Sequence, residues 1–217
     1  MARKGRAGAG LTRAGLLLLL SALLLSGYNL LDDRRAGDAA EAALRKLPAP
    51  APAAAPEAPQ SPTAPQAPAN PAETEIPDYV LDPERELPTQ DVDGSSYVGR
   101  LDLPALDLSL PVLEEWSYPN LRLAPCRYAG TAYASGFVLA GHNYSRHFGR
   151  LDRLCAGDAV TFTDVEGNAF PYRVAEVQIL RPTDTEAMLS PEWDLTLFTC
   201  TPGGRTRLAV RCVRDAP

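Results

Sequence analysis

Histidine is scarce in this sequence, with two residues in 217, and the four cysteines, Cys126, Cys155, Cys200 and Cys212, include no C-x-x-C pair. That combination excludes a dense disulfide scaffold and matches no zinc-binding pattern. A basic surplus is missing as well. The formal net charge is -6 and the arginines are scattered, so there is no electrostatic footprint for nucleic acid, which is excluded as a partner. Proline, by contrast, is abundant at 21 residues, too many for a uniformly folded chain, and much of it is concentrated in one stretch.

Arg3, Lys4, Arg6 and Arg13 precede an uncharged, leucine-dominated run from residue 14 to 31. Its 18 residues span about 27 Å as a helix at 1.5 Å per residue, close to the ~30 Å hydrocarbon core. The reading is a membrane anchor contacting the lipid bilayer through 14–31, with residues 1–13 as a cytoplasmic basic flank and the rest of the chain outside. A cleavable signal peptide built on Leu16–Leu25 is the rival, but no well-placed small-x-small pair follows that run. Residues 32–47, charged and Ala-rich, suit a short helix continuing out of the bilayer. From 48 to 77, ten prolines alternate with Ala, Gln, Glu and Thr, the composition of an extracellular spacer reaching about 90 Å at ~3.1 Å per residue.

After a lead-in over 78–96, the folded domain is expected over 97–217. Alternating apolar and β-branched residues predict strands at 97–103, 108–113, 136–140, 159–163 and 169–180. Helices are few: one over Ser145–Leu154, and another after Pro182 with Thr183 as its cap. Many short strands with little helix indicate a mostly β chain folded as a small, closed or nearly closed barrel.

The chemistry gathers at the C-terminal hairpin. Asp194–Cys200 reads as a strand ending on a thiol, Pro202-Gly203-Gly204 breaks it, and Thr206–Val213 returns. Cys200 and Arg207 then face each other across the strand pair. Arg205 falls in the loop, while Arg211, roughly 13 Å deeper at ~3.4 Å per residue, is expected to be solvated on the strand. Phe137–Ala140 runs through Gly141 into His142, another strand end. Should the two strands lie parallel, thiol, imidazole and guanidinium share one sheet edge. These residue types suit acyl transfer: a thiolate nucleophile, a proton donor for the leaving amine and a fixed cation for the developing oxyanion. Taken singly, each has an ordinary reading: a buried inert thiol, a satisfied histidine, a solvated arginine. His147 is assigned to a surface helix position, and the other cysteines to packing.

Val98-Gly-Arg-Leu-Asp-Leu-Pro104, Leu139-Ala-Gly-His-Asn143, Leu195-Thr-Leu-Phe-Thr-Cys200 and Arg207, in that order over 97–213, resemble the sortases, membrane-anchored cysteine transpeptidases of Gram-positive bacteria. The resemblance implies an eight-stranded closed β-barrel with a few short helices, preceded here by the transmembrane helix and the Pro/Ala-rich stalk. It implies that Cys200 attacks a C-terminal sorting signal of the L-P-x-T-G type on surface proteins, forming a thioester. His142 would serve as acid and then base, and Arg207 would hold the substrate and oxyanion. Thr199, which matches the motif's threonine, would support the same oxygen. The acyl group would pass to an amine acceptor from peptidoglycan precursor or a pilin lysine. No cofactor is implied, and no acidic cluster is assigned to the calcium that some members bind.

The compact 201–205 loop and the Gly141–Phe148 segment look closer to class B or class D-like members, and no subclass is assigned. Asp82-Pro83-Glu84 lacks the aromatic residue of the class C lid, and no second membrane segment follows the last strand. Two other functions share these residues: a surface cysteine hydrolase releasing the acyl-enzyme to water, and a non-catalytic stalked binding module.

Overall fold

The structure, a computed structural model, describes residues 4–48, Tyr79, Asp82 and 85–215. Among them, nine strands form one sheet: β1 (Gln90–Val92), β2 (Ser95–Leu103), β3 (Leu108–Leu113), β4 (Cys126–Ala129), β5 (Phe137–Ala140), β6 (Ala159–Asp164), β7 (Ala169–Leu180), β8 (Leu195–Cys200) and β9 (Arg207–Arg214). The order β1-β2-β3-β4-β5-β8-β9-β7-β6, with a further β2–β6 pairing, closes β2 to β9 into an eight-stranded barrel. The short strand β1 is appended to β2 through an Asp93-Gly94 turn with both residues at positive φ.

Closure requires a glycine. Gly99 of β2 pairs with Asp164 of β6, and a Cβ at Gly99 would lie 2.1 Å from the Thr163 carbonyl oxygen. Only a residue without a side chain lets the two edges approach this closely. Inside the barrel, Val98, Leu101, Leu103, Leu110, Phe137, Leu139, Phe162, Phe170, Leu197 and Val210 form the main core. Phe137 and Phe162 meet edge to face at 5.0 Å between ring centroids. β5 and β8 run parallel, and all four β5 residues are buried, as expected where both faces of a parallel pair are covered.

Among the described residues the helices include a long α1 (Lys4–Leu44) and two single turns, α2 (Tyr118–Leu121) and α3 (Thr185–Met188). α1 is apolar and long enough over Gly10–Leu44 to cross a membrane, and its leucines from Leu16 to Leu25 are exposed. Past Leu31 the helix changes surroundings. Ala36, Ala40 and Ala43 are buried, Ala40 in the barrel core and Ala43 with Leu47 in a second cluster around Tyr97, Leu113 and Cys126. Most of the 48–77 stretch lies outside the described residues. It joins Leu47 to Tyr79, which stacks on Tyr133 at 5.0 Å, so both its flanks rest on the barrel. Its length therefore does not separate α1 from the barrel.

Several expectations are corrected. The helix anticipated over Ser145–Leu154 is a 3-10 turn, Phe148–Arg153, preceded by an irregular loop. Its three-residue recurrence of Phe148, Leu151 and Leu154 is the period of a 3-10 helix, whose side chains eclipse every third residue. α3 begins at Thr185, with Asp184 and not Thr183 in the cap position, and no side chain caps it. β1 and β4 were not among the expected strands.

Candidate active site

β8 and β9 form an antiparallel hairpin in which Cys200 lies directly opposite Arg207. β5 pairs with β8 in parallel, Ala140 beside Phe198, and Gly141 N–H donates to the Phe198 carbonyl at 3.0 Å. β5 ends at Ala140, so His142 follows two residues beyond it, past the same barrel rim at which β8 ends on Cys200. Gly141 makes the turn possible: a Cβ there would sit 2.3 Å from the Phe148 ring, so the chain passes close over that ring before presenting His142.

Cys200, Arg207 and Thr199 line one groove of about 170 Å³. One wall is aromatic: Trp116 meets Tyr118 at 5.4 Å and Tyr128 at 5.7 Å, and Tyr128 meets Phe198 at 5.1 Å. Tyr118 is 75% exposed, a large aromatic surface left open at the groove's mouth. The opposite wall is the Arg181–Met188 segment containing α3. The Arg207 guanidinium turns back to donate from Nη1 to the carbonyls of Gly204 and Thr206, both at 3.1 Å, which holds it across the hairpin loop. The Thr199 hydroxyl is buried and has no hydrogen-bond partner among the described residues.

His142 is not among the residues lining that groove. Its ring stacks on Tyr144, with centroids 4.2 Å apart and planes 9° from parallel, and Nδ1 lies 3.1 Å from Asn143 Oδ1. It faces a neighbouring cavity of about 590 Å³ between α1 and the 142–145 loop. The Tyr144 hydroxyl donates to Asp32 of α1, and burial, followed by that bond, pushes the phenol up to about 12. At neutral pH Tyr144 is therefore a donor.

Three side chains depart from expectation. Arg211, expected to be solvated, is 1% exposed: α3 covers the face of β9 opposite the barrel core. It donates to Gln178 Oε1 (3.1 Å), Thr196 Oγ1 (2.9 Å), Met188 O (3.3 Å) and Ala187 O (2.6 Å). It thus pins the groove's α3 wall to the barrel. His147, assigned to a helix surface, is fully buried because the loop folds it in where α1 docks, and burial lowers its imidazole to about 4. Cys155 is exposed, whereas Cys126 and Cys212 are buried and their thiols are pushed up to about 12. An inert protonated thiol is the result at both buried positions. The aromatic wall and Tyr144 were not anticipated. Their signal was Trp and Tyr bracketing a turn at 116–118, and a Tyr two residues after the histidine.

A family model described as the Sortase domain matches residues 101–215, about half of the chain. The chain belongs to the sortase family. Sortase A of Bacillus anthracis is 30% identical over 121 residues, covering 53% of this chain. The chain spans 57% of that relative's length. Among solved structures, sortase C1 of Streptococcus agalactiae superposes with a TM-score of 0.52 at 25% identity, over 58% of this chain and 72% of that one. A lid mutant of sortase A from Corynebacterium diphtheriae gives 0.51 at 25% identity, over 63% and 76%. Sortase C1 of Streptococcus suis gives 0.50 at 26%, over 56% and 74%. These relatives carry A and C designations; the subclass of this sortase is left unassigned, and what is established is the family. Its barrel is the eight-stranded one, with Cys200, Arg207 and the end of β5 at one rim.

Proposed function

We propose that this sortase is a cysteine transpeptidase that cleaves an L-P-x-T-G-like C-terminal sorting signal on surface proteins. The Cys200 thiolate attacks the carbonyl carbon of the scissile amide, and His142 gives its proton to the leaving amine as the C–N bond breaks. The acyl group is then held as a thioester on Cys200. An incoming amine, from peptidoglycan precursor or a pilin lysine, loses a proton to His142, forms the new C–N bond and releases the Cys200 thiolate. The Arg207 fork faces the carbonyl oxygen as charge develops, with Thr199 adding support beside it. Residues 97–217 are the catalytic unit. Residues 14–31 hold it at the membrane with the N-terminus cytoplasmic and the barrel outside.

The observation that carries this reading is the pairing of Cys200 with Arg207 at the head of an aromatic-walled groove, with the parallel strand β5 ending beside β8 two residues before His142. The groove's apolar wall suits the Leu-Pro part of an extended peptide. The test is incubation of the full chain in detergent micelles with sorting-signal peptides and candidate amines, followed by mass spectrometry. A thioester adduct on Cys200, and a product joined to the amine, are expected. Free acid as the sole product would turn the reading into a hydrolase, and no adduct would leave a binding module.

A further inference from the structure

The loop that follows His142 has no regular structure of its own from Asn143 to His147, yet Tyr144, Ser145 and Arg146 within it are held by α1. The Tyr144 hydroxyl donates to Asp32, and the Ser145 hydroxyl to Asp33. Arg146 donates from Nη1 to Asp38 at 2.7 Å and to the Arg34 carbonyl at 3.5 Å, and its Nη2 reaches Glu41 at 3.5 Å. Gly37 leaves room for this: a Cβ there would lie 2.3 Å from Arg146 Nε, so the guanidinium crosses the helix where no side chain stands. Ala36 and Ala40, one turn apart, bring the helix backbone down onto the barrel.

These contacts converge on the histidine. The imidazole lies flat on the Tyr144 ring at 4.2 Å, and the far end of that ring is tied to Asp32. A stacked ring sets the plane of its partner, and a phenol fixed at its hydroxyl has lost the freedom to swing. We propose that Asp32 and Tyr144 are positioning residues for His142, so that the first part of α1 beyond the apolar run, 110 residues away in sequence, belongs to the working active site. The proposal rests on His142 being the acid–base. Reacting groups displaced by about 1 Å lose on the order of 10²-fold in rate, and loss of one anchor of a ring still held by its stacking should cost part of that, about tenfold.

The chain has only two histidines, which makes the test direct. In full chain labelled with 15N-histidine and held in micelles, the His142 ring signals are assigned by the absence of His147 signals in His147→Phe. Asp32→Ala and Tyr144→Phe are each expected to shift the His142 signals and lower single-turnover acylation about tenfold with peptide KM unchanged. The double variant should be no slower than the worse single one, since both act through one contact. Asp32→Asn, whose amide oxygen still accepts from the phenol, should retain most of the rate. Asp38→Ala, which removes an Arg146 contact on the same helix without touching Tyr144, should leave His142 signals and rate at wild type.

An unchanged His142 signal in both Asp32→Ala and Tyr144→Phe overturns the positioning, whatever the rates. Equal loss in Asp38→Ala overturns it as well, because any loosening of α1 would then suffice. A shifted signal with an unchanged rate leaves the contact standing and overturns the acid–base role of His142 beneath it.

Discussion

Replacing Arg211 with methionine should cost stability and groove shape while sparing the chemical step. The guanidinium is buried, and its hydrogen bonds go to two side-chain oxygens and two backbone carbonyls of α3, with no carboxylate among them. Methionine fills much of the same volume but donates nothing. Thr196, itself 1% exposed, then keeps a buried hydroxyl without its donor, at about 1–3 kcal/mol. The Ala187 and Met188 carbonyls must find water, which requires α3 to lift from β9. Because all four partners are neutral, no buried charge is left behind, and the loss is that of the orphaned acceptors, together about 3 kcal/mol. At about 3 °C per kcal/mol for a domain of this size, Tm should fall by roughly 10 °C. Asp184, Thr185 and Met188 line the groove, so peptide KM should rise while kcat stays within about threefold. Thermal unfolding by circular dichroism and steady-state acylation at 20 °C below the variant's own Tm check both halves. An unchanged Tm, or a fall in kcat as large as that from loss of Arg207, refutes the assignment of Arg211 to the α3 wall.

Arg207→Ala should lower single-turnover acylation by about 10²-fold or more, and Arg207→Lys should recover little, because a single ammonium cannot reproduce the planar fork. Arg205→Ala, in the exposed loop, should stay near wild type, and an equal loss there would mean the wrong arginine faces the substrate. For His147, the folded imidazole sits at about 4 against an ordinary 6.5, so the unfolded chain takes up the proton first as pH falls. Its stabilising effect is therefore complete above pH 6.5 and is lost progressively toward pH 4, by up to about 3 kcal/mol, and His147→Phe should flatten that part of the Tm–pH curve. Brief alkylation of the folded chain should label Cys200 and Cys155 but spare Cys126 and Cys212 until denaturant is added, with native labelling of Cys212 contradicting its place in the core.

The barrel was legible wherever a strand alternates and ends on a turn residue. β3 and β7 run from Leu108 to Leu113 and from Ala169 to Leu180, the bounds their patterns predict, and the Cys200–Arg207 pairing follows from the hairpin's loop length alone. β4 was not legible because it has only four residues between Pro125 and Gly130, and a single pairing, Leu113 with Cys126, joins it to β3. Arg211 was misjudged for a different reason. Leu208, Val210 and Cys212 mark one inner face of β9, which leaves Ala209 and Arg211 for the other, and an antiparallel strand usually gives that face to water. Here α3 covers it, and the burial of β9 runs unbroken from Leu208 to Cys212. Alternation reports which face is apolar; it does not report what lies over the other face.

The docking of α1 was hidden by the same limit, at longer range. Asp32, Asp33, Asp38 and Glu41 read locally as the solvated charges of a helix leaving the bilayer, and of these Glu41 also pairs with Arg45 one turn on. Their partners are Tyr144, Ser145 and Arg146, and the small residues Ala36, Gly37 and Ala40 between the charges let the backbones meet. With residues 14–31 as the proposed span, Asp32 is the first residue past it, and a helix rises only 1.5 Å per residue. The 142–146 loop, bound at Asp32 and Asp33, therefore stands within about two helical turns of the bilayer surface. On that proposal the height of the site above the membrane is set by the continuous helix α1. A substrate whose cleavage site emerges just beyond its own membrane segment would meet this rim without either chain having to extend.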